Sequence, residues 1–262
     1  MGTVDAGAGR AGASVRIVAW NILHGGGPRR TAEVALALAG YEPDVVVLTE
    51  FRAGRGGQLR AVLADLGLEH QRSSVGEGGV TAGVNGVLIA SRWGLRGVEP
   101  GPPEEEGIGA KWVSAGVSCG GRWGEVMLGG VHIPPEAGTG RAAMWAHVVS
   151  AAGAWAGGAA VIAGDFNTGR HRVDERGSRF GSVAMMGRLA TLGYVDAWRA
   201  MNPGSRARSW RGVGSVGGAG ATRVDGVWVS GAMSGCISRG FLGVEAMEAG
   251  VSDHAPVVVE VG

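Results

Sequence analysis

AAVIAGDFN (Ala159–Asn167) is a run of five apolar residues that leads directly into a glycine, an acid, an aromatic and an amide. A continuous apolar run of this length suits a strand buried on both faces, without the alternation of a half-exposed one. Asp165 and Asn167 therefore stand at the C-terminal end of a core strand. Working outward, three more runs end in the same way. VRIVAW (Val15–Trp20) is followed by Asn21, VVVLT (Val45–Thr49) by Glu50, and VMLGGV (Val126–Val131) by His132. Two runs reverse the order, with Asp225 near the start of VDGVWVS (Val224–Ser230) and Asp253-His254 just before APVVVEV (Ala255–Val261). In antiparallel packing the start of one strand lies beside the end of its neighbour. All six runs are thus expected to set their polar groups along one rim.

Between these strands the pattern changes to helical spacing. Arg30–Ala39, with Val34, Leu36 and Leu38, is stopped by Pro43; Gln58–Leu66, Arg141–Trp155 and Ser182–Leu192 also read as helices. Gly86–Ala90 and Trp112–Val117 are further strands, separated by an acidic, proline-rich loop at Glu99–Gly107. The alternation is mixed α/β, without a sharp repeat or a long linker, so residues 15–262 are expected to form one domain. Met1–Ser14 is rich in Gly and Ala and lacks a basic segment leading into an apolar one, so a disordered tail is expected there and not a signal peptide. Gly212–Gly220 is expected to be a mobile loop.

With 262 residues, 45% of them apolar and 18% charged, the chain can bury a sizeable core. Its apolar runs are too short to cross a bilayer, so membrane insertion is not expected. A net charge of +1 weighs against a protein that binds nucleic acid through its overall field, but leaves a local basic groove open. Lys111 is the sole lysine; arginine in its place suits bidentate phosphate contacts, and also fits a general composition bias alongside 52 glycines. Cys119 and Cys236 have neither zinc spacing nor a disulfide framework and are expected to be buried free thiols in a cytoplasmic, monomeric protein.

The polar rim is chemically coherent. Glu50, Asp253 and Asp165 offer hard oxygen ligands for Mg²⁺, with Mn²⁺ as a substitute. A histidine beside a carboxylate can carry a proton or stabilise an oxyanion, and an asparagine can hold a phosphoryl oxygen without adding charge. Singly, each residue has a plainer reading: Asp165 or Asn167 as a turn former, His132 as a satisfied core histidine, Asp225 as a structural partner of Arg223.

AWN (Ala19–Asn21), LTE (Leu48–Glu50), GDFN (Gly164–Asn167), RVDGVWVS (Arg223–Ser230) and SDHAPV (Ser252–Val257) together resemble the endonuclease/exonuclease/phosphatase superfamily, in its order and over nearly the whole chain. That resemblance implies a four-layer α/β sandwich, two central mixed sheets flanked by helices, with the active site at one sheet edge. It implies Glu50 as principal metal ligand, helped by Asp253 and supported by Asn21. Asp165 would position or deprotonate the attacking water, and Asn167 would contact phosphoryl oxygens. His254, oriented by Asp225, would face the scissile phosphate, and His132 matches a histidine that many members carry.

Two departures lean away from a standard abasic-site endonuclease. Leu23 stands where several DNA-repair members have an acid, and the tyrosine motif those members carry near the His132 segment is missing. Leu192–Arg199 (LGYVDAWR), Asn202-Pro203 and Ser209-Trp210 lean back, since they resemble the exonuclease III branch. There Arg199, Arg206, Arg208 and Arg211, with no acid among them, are expected to grip a phosphate backbone while Trp210 stacks on a base or sugar; a solvated loop around a packed tryptophan is the plainer reading. The expected function is a metal-dependent nuclease acting on DNA. A phosphatase or phosphodiesterase on a small or lipid-linked phosphate is the alternative. A binding module without chemistry is the third option, against which the joint presence of Glu50, Asp165, Asn167, Asp225, Asp253 and His254 argues.

Overall fold

A computed structural model of the chain describes residues 14–25, 28–76, 81–105, 107–174, 180–212 and 222–262. The expected tail, apart from Ser14, and the expected mobile loop, apart from Gly212, lie outside the described residues. In chain order the first half contains β1 (Val15–Asn21), α1 (Pro28–Tyr41), β2 (Val45–Phe51), α2 (Gly57–Asp65), β3 (His70–Ser73), β4 (Gly86–Ser91), β5 (Leu95–Arg96), β6 (Trp112–Gly120) and β7 (Gly124–His132). The second half adds α3 (Arg141–Trp155), β8 (Ala160–Asp165), α4 (Val183–Thr191), β9 (Val195–Asp196), α5 (Ala197–Met201), β10 (Asp225–Val229), α6 (Gly231–Ser234), β11 (Ile237–Leu242), α7 (Val244–Glu248) and β12 (Val257–Val261).

Two six-stranded sheets run in the orders β11-β12-β1-β2-β4-β3 and β5-β6-β7-β8-β10-β9. Each has one parallel pair at its centre, β1 with β2 and β7 with β8, and antiparallel pairing elsewhere. A parallel pair needs a crossover, supplied by α1 in the first sheet and α3 in the second. The sheets face each other through one apolar core that includes Ile17, Val47 and Val259 from the first and Val113, Leu128 and Val161 from the second. On the outer face of the first sheet, Trp20, Leu48 and Val258 pack with Val34 and Leu38 of α1 and Leu59 and Leu63 of α2. On the outer face of the second, Trp112, Ile162 and Trp228 pack with Trp145 and Val148 of α3 and Met186 and Leu189 of α4. The architecture is the four-layer sandwich with two mixed sheets.

Local chemistry explains the elements. The central strands are valine-rich because both of their faces are covered. In α1, Val34 and Leu38 are one turn apart and share the buried face; Leu36, two positions round, is 76% exposed instead of joining them. Cys119 and Cys236 are unpaired, but half-buried where full burial was expected. Gly164 takes φ +140, and a Cβ there would come within 2.0 Å of the Val131 carbonyl oxygen, so the residue before Asp165 must be glycine. Among the described residues, no helix is long and apolar enough to cross a membrane.

Candidate active site

Strand register gathers the polar ends. Asn21 ends β1, and Glu50 is the penultimate residue of its parallel neighbour β2. His132 and Asp165 are direct partners at the ends of β7 and β8. Asp225 opens the antiparallel β10 opposite Asp165. Val257 of β12 lies opposite Ala19, which brings Asp253 and His254 to the same edge. The six strand ends therefore meet at one rim.

Asp165 is its centre. Its Oδ1 accepts the Asn167 backbone N–H at 2.8 Å, and its Oδ2 accepts from Asn21 Nδ2 at 3.0 Å. Two imidazoles face the same Oδ2, His132 Nε2 at 3.8 Å and His254 Nε2 at 4.0 Å. The other ring nitrogen of His254 lies 2.9 Å from Asp225 Oδ2, so Asp225 sets which nitrogen faces Asp165. Ser252 ties the strands together: its hydroxyl donates to the Asn21 carbonyl at 2.6 Å and accepts the His254 N–H at 3.1 Å. Asn167 directs its side-chain N–H groups at the Ile133 carbonyl and at Asp165, so here it orients Asp165.

Burial and neighbouring charge separate the acids from the bases. Burial, with the Asp225 charge beside it, raises the Asp165 carboxyl to about 7, against the opposing pull of His254, the Asn167 N–H and Asn21. Burial would lower His254, but the charge and hydrogen bond of Asp225, with Asp165 and Asp253 nearby, lift it to about 10. Burial pushes His132 well below the ordinary histidine value, and the positive charges of Lys111, His254 and His24 push the same way. Near neutral pH the site thus holds a titrating carboxyl, a cationic imidazole and a neutral one.

An oxygen-rich set stands beside this cluster. Glu50 sits at φ +60 in an irregular step of β2 between Thr49 and Phe51, which re-aims its side chain. Its Oε1 accepts from Asn21 Nδ2 at 3.3 Å and its Oε2 from the His24 N–H at 2.7 Å. Among the described residues, Asp253 Oδ1 and Asp225 Oδ1 are buried and find no hydrogen-bond partner. An unsatisfied carboxylate oxygen of this kind suits a divalent cation, so the residues present fit one. Asp165, Asp225 and His254 bring ligand-type atoms within 4.8 Å of one another.

The chain and its fold have counterparts among known proteins. The sequence model of the Endonuclease/Exonuclease/phosphatase family matches residues 18–254. The chain belongs to that family. It is accordingly a phosphoester-hydrolysing enzyme. Solved structures that it resembles include the 3′ phosphatase NExo from Neisseria bound to a product DNA hairpin, at 21% identity over 95% of this chain and 99% of that one, with a TM-score of 0.74. An AP endonuclease from Archaeoglobus fulgidus aligns at 18% identity over 94% and 98%, with a TM-score of 0.77. The 3′–5′ exonuclease NExo from Neisseria meningitidis aligns at 22% over 94% and 99%, with a TM-score of 0.73. No curated protein sequence matches the chain.

In this family member the expected arginine grip is divided. Arg206 and Arg211 are exposed and Arg208 is half-buried. Arg199 is a correction, because its guanidinium is committed within the protein: Nη2 donates to Asp174 Oδ1 at 2.7 Å and Nη1 to the Ser205 carbonyl at 2.6 Å. Trp210 is half-buried and donates Nε1–H to Asp253 Oδ2 at 3.2 Å, with its ring centroid 6.3 Å from that of His254. It lines the site as a support for Asp253. Arg223 meets Asp225 only at the carbonyl, at 3.3 Å; its side chain pairs with Asp174 at 2.9 Å and Asp196 at 2.6 Å.

Asp174 is the hub of that network, fully buried among Arg170, Arg199 and Arg223. Burial alone would raise its carboxyl, but Arg223, Arg199 and Arg170 together hold it at about 2. A folded-state value below the unfolded one gives stability that is present above about pH 4 and lost as pH falls through about 2. Asp174→Ala is expected to cost about 3–5 kcal/mol by leaving buried guanidiniums uncompensated. Urea midpoints from pH 7 down to 2.5 check both points; a variant that unfolds like wild type at pH 7 removes Asp174 as the hub.

Sequence reading missed four neighbours of the site. Lys111 Nζ donates to the Asn85 carbonyl at 3.1 Å; burial lowers its pKa while the Glu50 and Asp165 charges oppose that. Its signal was being the only lysine in an arginine-rich chain. Asn85 donates to Glu50 Oε2 at 3.1 Å, and His24 Nδ1 lies 2.7 Å from the same oxygen. Ser209 accepts the Asp225 N–H at 3.1 Å. Asn85 lies in an irregular segment without a distinguishing pattern, and Ser209 reads from the sequence only as part of the Ser209-Trp210 resemblance, not as a partner of Asp225.

Proposed function

We propose that the chain is a divalent-metal-dependent phosphodiesterase that cleaves DNA by attack of water on phosphorus, with Mg²⁺ as the working ion and Mn²⁺ as a substitute. The observation that carries this is the convergence of Asn21, His132 and His254 on one buried oxygen of Asp165, with Glu50 adjoining through Asn21. Glu50, Asp253 and Asn21 would hold the ion. When bound, the ion neutralises charge on the phosphoryl oxygens and acidifies water.

The chain's own groups do the rest. Asp165 Oδ2 orients the attacking water and accepts its proton, while Asn21 and Asn167 hold the carboxylate in place. His254, kept cationic by Asp225, presents Nε2–H to the negative charge that grows on the phosphoryl group. Neutral His132 adds a second imidazole from the facing strand. Residues 15–262 act as one catalytic domain. A monomer is the expected state, supported by the scatter of Leu36, Val84, Val173 and Met201, the exposed large apolar side chains among the described residues, over separate segments. Unpaired Cys119 and Cys236 support a cytoplasmic setting.

Support for DNA comes from the exposed Arg206 and Arg211, from Arg208 and Trp210 between them, and from the hydrogen bond of the Arg211 N–H to the Asp253 carbonyl at 2.8 Å. Two structural neighbours, a 3′ phosphatase bound to product DNA and an AP endonuclease, point the same way. Hydrolysis of plasmid, abasic duplex, single-stranded DNA and a small phosphodiester, each with Mg²⁺, Mn²⁺ or EDTA, tests the proposal. DNA cleavage abolished by EDTA supports it; cleavage of the small ester alone transfers the assignment to a small-molecule phosphodiesterase, in keeping with the net charge of +1. Replacing Arg206 and Arg208 together by alanine should lower the salt slope of DNA binding by about 1.5–2. An unchanged slope ends their assignment to the backbone.

A further inference from the structure

Arg141 is the first residue of α3, the helix that crosses from β7 to β8, and its side chain is only 7% exposed. The position is doubly unfavourable for a cation. Burial removes its water, and the first turn of a helix is the positive end of the helix dipole. α3 has no acid in its first turn to compensate. The offset comes from neighbouring loops. Nη1 donates to the Pro134 carbonyl, and Nη2 donates to the Asn167 carbonyl at 2.9 Å and the Thr168 hydroxyl at 2.6 Å. Nε donates to the Ser182 hydroxyl at 3.0 Å, and Glu136 Oε2 lies 3.1 Å from Nη2.

Two of the loops joined by this fork follow His132 and Asp165 directly. Past the ends of β7 and β8 they stay paired: the Ile133 N–H donates to the Asp165 carbonyl at 2.8 Å, and Asn167 Nδ2 donates to the Ile133 carbonyl at 2.8 Å. Asn167 takes φ +44, an uncommon left-handed value for a residue with a Cβ, which persists where the surroundings hold it. Its N–H is held by Asp165 Oδ1 at 2.8 Å, and its carbonyl is held by Arg141. Both flanking peptides are thereby fixed, and with them the direction of the Asn167 amide, whose Nδ2 lies 3.3 Å from Asp165 Oδ2.

We infer that Arg141 is a positioning residue for the hydrolytic reaction: its guanidinium locks the left-handed turn at Asn167, and through the Asn167 amide it sets the orientation of the Asp165 carboxylate. The inference rests on the assignment of Asp165 as proton acceptor. Lysine cannot take over this role, because one ammonium on a flexible stem cannot meet acceptors on three segments in a fixed plane.

The test uses the whole chain and Arg141→Lys, which keeps the charge and removes the fork. Nitrogen-15 labelling of asparagine reports the side-chain amides of Asn21, Asn85, Asn167 and Asn202, the four in the chain, and Asn167→Ala identifies the signal of Asn167. In Arg141→Lys that signal should shift or broaden. Those of Asn85 and Asn202 should stay in place, because their amides bond elsewhere, to Glu50 and to the Gly240 carbonyl. Hydrolysis of plasmid DNA or the small phosphodiester with Mg²⁺, whichever wild type cleaves, should fall about ten- to a hundredfold in kcat with KM within about twofold. In an Asn167→Ala background the same substitution should change kcat by less than about twofold, since the route is already cut.

Arg141→Ala gives a second reading that does not depend on how Arg141→Lys folds. Guanidinium ion at a non-denaturing concentration should restore its Asn167 signal and its kcat, and ammonium ion should not. An unmoved Asn167 amide, a normal kcat, all four amides shifting together, a loss by the same factor in both backgrounds, or an equal response to the two ions overturns the inference. Asp165→Asn runs beside these variants. Lost turnover there with normal turnover in Arg141→Lys overturns the role of Arg141 alone. Normal turnover in Asp165→Asn overturns the Asp165 assignment and the inference with it.

Discussion

Asp165→Asn is expected to lower phosphodiester turnover by about a thousandfold while the protein stays folded. The substitution is nearly isosteric, and the remaining carbonyl oxygen can still accept the Asn167 N–H. What disappears is the proton acceptor: the Oδ2 position faced by Asn21, His132 and His254 becomes an NH₂ group or a neutral carbonyl. The stability effect has a definite sign. Burial and the Asp225 charge raise this carboxyl to about 7, above its unfolded value near 4. Its contribution is therefore fully present below about pH 4 and lost as pH rises through about 7. Metal-free Asp165→Asn should escape that loss, so its urea midpoint relative to wild type should rise between pH 4 and 8. Single-turnover rates and these midpoints check the two halves; near-normal turnover would remove Asp165 from the proton-transfer role.

His254→Ala is the second large effect, and it acts on both activity and stability. The imidazole is the hydrogen-bond partner of the fully buried Asp225 carboxylate, and Asp165 lies just beyond it. Truncation leaves two buried acids facing each other without the intervening cation. A loss of about 3–5 kcal/mol in stability is expected at neutral pH, together with a hundred- to thousandfold drop in kcat. His254→Gln separates the two effects, since an amide can still donate to Asp225 but carries no charge. It should recover part of the stability and little of the turnover, with KM changed far less than kcat. Turnover restored along with stability would make His254 a structural residue only.

The strand ends of the site were legible because they obey a rule of burial. Runs such as Val45–Leu48 and Ala159–Ala163 are apolar throughout, since both faces of a central strand are covered, and a charged residue just beyond such a run is conspicuous. The edge strands gave no such signal. His70–Ser73 alternates exposed and half-buried positions and exists as a strand through its pairing with Gly86–Ser91. Ile237–Leu242 is likewise an edge strand, drawn into the sheet by Val257–Val261.

Arg199 shows where reading along the chain misleads. Its near neighbours in sequence include no acid to its C-terminal side, which suggested a free cation, yet Asp174 reaches it from 25 residues upstream. Trp210, expected at a nucleic-acid base, is tied to Asp253 in the last motif of the chain. His24 and Asn85 acquire their meaning only when the end of β1, the step in β2 and the start of β4 come together around Glu50.

By itself the sequence determined the α/β class, the central strands, the polar rim and the family, because covered strands require apolar runs and the rim residues follow those runs directly. The tertiary structure alone decided which side chains those residues meet: Asp225 with His254, Asp174 with three arginines, His24 with Glu50. The physical reason is range. Burial leaves a pattern among neighbours in the chain, whereas an ion pair or a shared donor depends on atoms that only sheet register and helix packing bring within 3 Å.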